Sequence, residues 1–201
     1  MAKLYFKYGA MGSSKTVMTL TTRFNYIEKG MKVWLIKPAI DTRDGEDIVR
    51  SRIGLEAKAD VIKPTDNIYS LFLQLRTAGC TYDVVVADEA QFFMEEQIDE
   101  LREIVDLFNV PVLCFGLRTD FQTKFFTGSK RLMEIADSIS EIKTICQCGN
   151  KATVNMRIDA DGYAITSGSQ IQLGGNESYV SVCHRCYRDC CAKRIKMTPM
   201  H

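Results

Sequence analysis

Tyr82–Ala87, YDVVVA, carries three consecutive valines, so neither face of this strand is suited to water. A strand apolar on both sides belongs inside a parallel sheet covered by helices on its two faces. The same texture recurs along the first two thirds of the chain. Leu4–Tyr8, Lys32–Lys37 (KVWLIK) and Val110–Phe115 (VPVLCF) read as further strands. Helical patterns alternate with them over Thr16–Lys29, Asp66–Thr77, Met94–Phe108 and Ser129–Ala136. Gly30 and Gly79 stand where helices stop, and Asp66 is the expected cap of its helix. Alternation of this kind predicts an α/β fold with a mainly parallel sheet.

After about residue 140 the texture changes. Short β-like pieces at Ile142–Ile145, Ala152–Arg157 and Tyr163–Ile165 surround cysteines and glycines. A boundary near Ser140 divides a body of residues 1–140 from a smaller module of residues 141–201. The chain has 201 residues, 46% of them hydrophobic, enough for one such domain with a small addition. Its 26 basic and 25 acidic residues leave a net charge of +1, which offers no electrostatic case for a nucleic-acid or membrane partner. No apolar run is long enough to span a bilayer, and Lys3 and Lys7 interrupt the N-terminus where a signal peptide would be apolar. The expectation is a cytoplasmic protein, in which disulfides are rare.

Two segments point to nucleotide chemistry. Tyr8–Met18, YGAMGSSKTVM, has the layout of a phosphate-binding loop between a strand and a helix, with Ser14 where the second glycine belongs. Such a loop aims successive backbone N–H groups at phosphate from the positive end of a helix. Lys15 is placed for the outer phosphates and the Thr16 hydroxyl for Mg²⁺. Ser13 or Ser14 could equally cap the helix. The second segment is Val84–Phe93, VVVADEAQFF. In a parallel sheet, ligands gather at the carboxyl ends of the strands, where Asp88 and Glu89 lie. Asp88 suits a bound Mg²⁺ and Glu89 a proton acceptor, although DEAQ is also an ordinary acidic helix start.

The eight cysteines divide by context. Cys80 and Cys114 lie among apolar residues and read as core. Cys146-Gln-Cys148 and Cys183-His-Arg-Cys186 form two close pairs, the arrangement that tetrahedral Zn²⁺ requires. His184 competes as a ligand, and Cys190 and Cys191 read as spare thiols. A four-thiolate site is closed and structural. Two other functions fit parts of this pattern: an ATPase of RecA-like type, and a zinc-ribbon adaptor using the basic cluster Arg185, Arg188, Lys193, Arg194 and Lys196.

Taken together, GAMGSSKT (9–16), DTR (41–43), DEAQFF (88–93), GLRTDFQTKFF (116–126), CQC (146–148) and LGGNESYVSVCHRC (173–186) resemble the type II thymidine kinases. These are cytosolic tetramers with a P-loop, RecA-like body and a zinc-binding lasso domain. The resemblance implies transfer of the ATP γ-phosphate to the 5′-hydroxyl of thymidine, giving dTMP, with deoxyuridine as a secondary substrate. It implies Mg²⁺ with ATP, a structural Zn²⁺, a homotetramer and dTTP as a feedback inhibitor. Gly9, Ala10, Met11, Gly12, Ser13, Ser14, Lys15 and Thr16 would hold ATP, with Asp88, Glu89, Ala90 and Gln91 at the strand end. Glu89 would accept the proton, with Lys15 and Arg43 at the phosphates. Phe121 would contact thymidine, and Tyr179 would close the lasso over it. Gln170, Ile171, Gln172, Leu173 and Gly174 would hold the base largely by main-chain atoms, beside Met11 and Leu117. Cys146, Cys148, Cys183 and Cys186 would bind zinc. The family usually has glycine at the position of Ser14. Which of Phe125 and Phe126 faces inward is left open by the pattern.

Overall fold

The structure, a computed structural model, describes residues 1–42, 45, 47–171 and 178–197. Its elements in chain order begin with β1 (Leu4–Tyr8), α1 (Lys15–Glu28), β2 (Val33–Pro38), β3 (Ile48–Arg50), β4 (Glu56–Lys58), β5 (Asp60–Ile62), α2 (Ile68–Thr77) and β6 (Val84–Ala87). A 3₁₀ turn (Ala90–Phe92), α3 (Glu95–Phe108), β7 (Val112–Gly116), α4 (Thr127–Ile135) and β8 (Ser138–Glu141) follow. The last third holds β9 (Thr144–Ile145), β10 (Lys151–Ala152), β11 (Val154–Arg157), β12 (Tyr179–Val182) and α5 (His184–Lys193).

Six strands form one sheet in the order β5-β2-β6-β7-β1-β8, and every neighbouring pair runs parallel. The period-two geometry of a strand sends alternate side chains to opposite faces. Leu4, Phe6, Trp34, Ile36, Val85, Ala87, Val112 and Cys114 point to one side and pack on α2, α3 and α4 through Ile68, Phe72, Ile98, Leu101, Ile104 and Leu132. Leu35, Val84, Val86, Leu113 and Phe115 point to the other side and meet Leu20 of α1. Val49 and Ala59, from the β3–β4 hairpin and just beyond it, join that second layer. The expected α/β architecture with helices on both faces is therefore present, with α1 as the helix of one face.

Boundaries shift by one or two residues from those read in sequence. Asn67, rather than Asp66, caps α2: its side-chain oxygen accepts from the Ser70 N–H at 2.7 Å. Asp66 instead closes the preceding turn by accepting from the Lys63 N–H at 2.8 Å. Cys80 is exposed, against the expectation of a core thiol, because it follows the end of α2 at a turn; Cys114 is buried. The piece expected at Tyr163–Ile165 is reduced to a single bridge between Ala164 and Ile158. Phe126 is buried and Phe125 exposed, so Phe126 is the inward ring.

A third, smaller core lies around two antiparallel pairs, β9–β10 and β11–β12. It contains Cys146, Ala152, Val154, Met156, Ile158, Val180, Val182, Cys183 and Cys190.

Candidate nucleotide and metal sites

Residues 9–14 turn the chain from β1 into α1. Gly9 begins the turn by donating to the Gly116 carbonyl of β7 at 3.2 Å. A side chain there would meet Ser13 Oγ at 2.4 Å and the Ile142 carbonyl at 2.5 Å, so the chains can approach this closely only at glycine. Gly12 and Ser14 have φ of 72° and 62°, both left-handed. Ser14 is the residue before α1 and makes no side-chain capping bond, so its hydroxyl does not serve as a helix cap. Lys15 is buried and folds back so that its Nζ donates to the Ala10 carbonyl at 2.9 Å. Ser13 Oγ is buried, with no hydrogen-bond partner among the described residues. A buried hydroxyl is rarely left so in a native structure without a bound ion or water. A loop rich in N–H donors, a lysine and an orphaned hydroxyl together fit an anion.

Asp88 and Glu89 follow β6 next to this loop. Asp88 is buried and accepts from Thr19 Oγ1 on α1 at 3.0 Å. Burial, with Glu89 and Asp41 adding like charge, raises its pKa to about 7, although Thr19 and Lys15 pull the other way. Three carboxylates therefore share a cleft of about 820 Å³ with Lys15, Thr16, Arg50 and Arg52. Such acidic crowding beside a loop that fits an anion suits a divalent cation.

Glu89 holds φ of 49°, a left-handed conformation that costs a side-chain-bearing residue free energy. The turn after it is held in place by Gln91. Its Nε2 donates to the Glu89 carboxylate, and its Oε1 accepts from the Leu117 N–H at 2.8 Å. Two glycines permit that packing. A Cβ on Gly116 would lie 2.6 Å from Gln91 Oε1, and one on Gly128 of α4 would lie 2.6 Å from the Ala90 carbonyl.

Beside this cleft a second cavity, of about 60 Å³, is lined by Met11, Phe92, Leu117, Thr119, Asp120, Phe121, Phe126, Asn155, Gln170, Ile171 and Tyr179. Met11 and Leu117 border both spaces. Most of the residues expected around a base thus share one cavity. Arg43, Gln172, Leu173 and Gly174 lie outside the described residues.

Sequence reading missed the residues that fasten the last third of the chain to this place. Asn155 Oδ1 accepts from the Met11 N–H at 2.7 Å, while its Nδ2 donates to the Thr119 carbonyl at 3.1 Å. Ser181 Oγ donates to the Met11 carbonyl. Arg157 is buried, with its guanidinium 3.8 Å from the Phe121 ring centre. The available signal was a pair of polar residues, two apart and so on one face, in the otherwise apolar run VNMRI.

The sulfurs of Cys146, Cys148, Cys183 and Cys186 all lie within 4.8 Å of one another. Tetrahedral Zn–S bonds of about 2.3 Å put sulfurs roughly 3.8 Å apart, and Cys148 and Cys183 are 3.6 Å apart. Backbone and side-chain hydrogen bonds from Asn150 lower the Cys148 thiol to about 6, which favours the thiolate that a metal needs. The donor set fits zinc. His184 is exposed and is not among these ligands; its ring meets the edge of Tyr187. Cys190 packs in the small core, and Cys191 is partly buried beside it on α5.

The family model described as thymidine kinase matches residues 2–187. The thymidine kinase of Legionella pneumophila (strain Lens) is 48% identical over 188 residues, covering 94% of this chain and 90% of that protein. The thymidine kinase of Ruegeria pomeroyi is 47% identical over 189 residues, covering 94% and 95%. That of Aliivibrio fischeri is 45% identical over 193 residues, covering 96% of this chain and 100% of its own.

Proposed function

The chain belongs to the thymidine kinase family, and we propose that it transfers the γ-phosphate of ATP to the 5′-hydroxyl of thymidine, giving dTMP and ADP, with deoxyuridine as a secondary substrate. The observation that carries this reading is the common wall of Met11 and Leu117 between the phosphate cleft and the aromatic cavity. A nucleoside base in the smaller cavity puts its sugar at that wall, toward Lys15 and Glu89.

In this reading the backbone N–H groups of residues 9–16 and Lys15 hold the ATP phosphates, with Arg43 as an additional cation. Asp88 and the Thr16 hydroxyl would hold Mg²⁺, which when bound would neutralise phosphate charge. Glu89 accepts the proton as the 5′-oxygen forms its bond to the γ-phosphorus and the bond to the ADP oxygen breaks. Gln91 fixes one carboxylate oxygen of Glu89 and so aims the other. Alanine and glutamine at 90 and 91 serve as the support of that turn. Phe121 offers a ring face to the base, and Gln170 to Gly174 offer main-chain donors and acceptors. The four cysteines hold a structural Zn²⁺, in a lasso module of residues 141–201 joined to a kinase body of residues 1–140. A homotetramer, inhibition by dTTP and a cytoplasmic location belong to the same proposal.

The test is phosphate transfer from ATP to a panel of deoxynucleosides. Main-chain reading of the base leaves two buried groups unpaired with deoxycytidine, at about 1–3 kcal/mol each, so its kcat/KM falls by about 10² or more. Deoxyuridine lacks one methyl, worth about 0.8 kcal/mol, and loses only several-fold. Equal rates for deoxycytidine and thymidine would refute main-chain reading. ATP turnover independent of any nucleoside would refute the kinase reading itself.

A further inference from the structure

Arg157 lies behind the wall of the aromatic cavity. It sits on β11 directly across from Tyr179 on β12. Its guanidinium is buried, yet no carboxylate pairs with it among the described residues. Its N–H groups go elsewhere. Nε and Nη2 both donate to Tyr179 Oη, at 2.9 and 2.6 Å. Nη1 donates to the Ser169 carbonyl at 3.0 Å, and Nη2 also to the Gln170 carbonyl at 3.3 Å. One face of the Phe121 ring is covered by the same guanidinium.

These contacts have a consequence for hydrogen-bond polarity. A phenolic oxygen carries one proton and a limited acceptor capacity. Two N–H groups from Arg157 occupy that capacity. The Tyr179 hydroxyl is then left able only to donate. Among the described residues no protein acceptor takes its proton, and Tyr179 lines the cavity.

We propose that Arg157 is a positioning residue that strengthens nucleoside binding by holding the Tyr179 hydroxyl as a hydrogen-bond donor aimed at an oxygen acceptor of the nucleoside. This rests on the kinase reading and deepens it. Arg157 does not touch the ligand in this account. It acts through Tyr179, and through the Ser169 and Gln170 carbonyls it fixes the chain where the segment expected to read the base begins. Lysine is no equivalent, because a point donor cannot fill two acceptor positions and cover an aromatic face together.

A double-mutant cycle tests this on the full-length zinc-loaded protein, with thymidine KM, ATP KM and kcat as readouts. Wild-type turnover of thymidine tests the kinase reading separately. Tyr179→Phe is expected to raise thymidine KM about 10-fold, the loss of one ligand hydrogen bond. Arg157→Met is expected to raise it by a similar factor while ATP KM holds. The double variant is then no worse than Arg157→Met alone, because the two residues act as one unit. Arg157→Lys should fall between wild type and Arg157→Met. Independent effects that multiply to about 100-fold in the double variant would overturn the proposal, as would a parallel rise in ATP KM. Should Arg157→Met fail to fold, the same cycle run with Arg157→Lys decides: multiplicative effects overturn the proposal and sub-multiplicative effects support it.

Discussion

Replacing Ser14 with glycine should stabilise the protein and leave nucleotide binding intact or tighter. Ser14 sits at φ 62° and ψ 27°, in the left-handed region. That conformation costs a residue with a Cβ roughly 1–2 kcal/mol, a cost glycine does not bear. Nothing offsets it locally, since the Ser14 side chain is exposed and makes no capping hydrogen bond. Against this gain stands the greater freedom of glycine in the unfolded chain, about 0.4–1 kcal/mol. The net is a stabilisation of about 0.5–1 kcal/mol. In a chain of this size 1 kcal/mol moves Tm by about 2–4 °C, so Ser14→Gly should melt about 1–4 °C higher. Thermal melts of matched zinc-loaded samples, without nucleotide, read the first part; ATP titration reads the second. A lower Tm, or loss of ATP binding, would show that the Ser14 hydroxyl has a role that the backbone argument omits.

Other perturbations separate the neighbouring groups. Ser13→Ala removes a buried hydroxyl that has no partner among the described residues, so the free protein should melt higher, while ATP should bind more weakly through loss of that donor to phosphate; calorimetry with and without ATP checks both. Glu89→Gln keeps the shape of the site and removes the proposed proton acceptor, so turnover should fall by about 10²- to 10⁴-fold with ATP affinity retained, and unchanged turnover would remove Glu89 from the mechanism. Gly128→Ala gains about 1 kcal/mol of helix propensity, but its Cβ would press on the Ala90 and Phe93 carbonyls at 2.6 and 2.8 Å. The strain, about 1–3 kcal/mol, should win and displace the turn after Glu89, lowering both Tm and kcat; a simple rise in Tm would contradict this packing. Zinc removal should release α5, whose first turn carries Cys186 and whose Tyr187 donates to the Phe121 carbonyl at 2.9 Å. Thymidine KM should then rise with Zn²⁺ content measured in parallel, and normal kinetics in metal-free protein would sever the link.

Much of this protein was legible in its sequence because the relevant signals are local. Apolar runs without alternation announced buried parallel strands. GAMGSSKT announced a turn between strand and helix, and the cysteine pairs announced two turns that could share a metal. These depend on residues within a few positions of one another, where chain geometry leaves few choices. Where local signals competed, the reading slipped: Asp66 and Asn67 can both cap a helix, and only the path of the chain into α2 selects Asn67. Cys80 has apolar neighbours in sequence, yet a turn turns it outward.

Tertiary structure alone decided which distant groups meet. Nothing near Asn155 indicates that its amide would join the Met11 N–H, 144 positions away, to the Thr119 carbonyl. Arg157 looks like one charged residue in a short strand until the fold brings it to Phe121 and Tyr179. Gln91 likewise becomes a bridge between Glu89 and Leu117 only when β6 and β7 lie side by side. Side-chain type and strand period determine which way a residue points. What it meets there depends on how the sheet, the helices and the small cysteine-bearing core pack against one another, because a buried polar group is stable only where the fold supplies its partners.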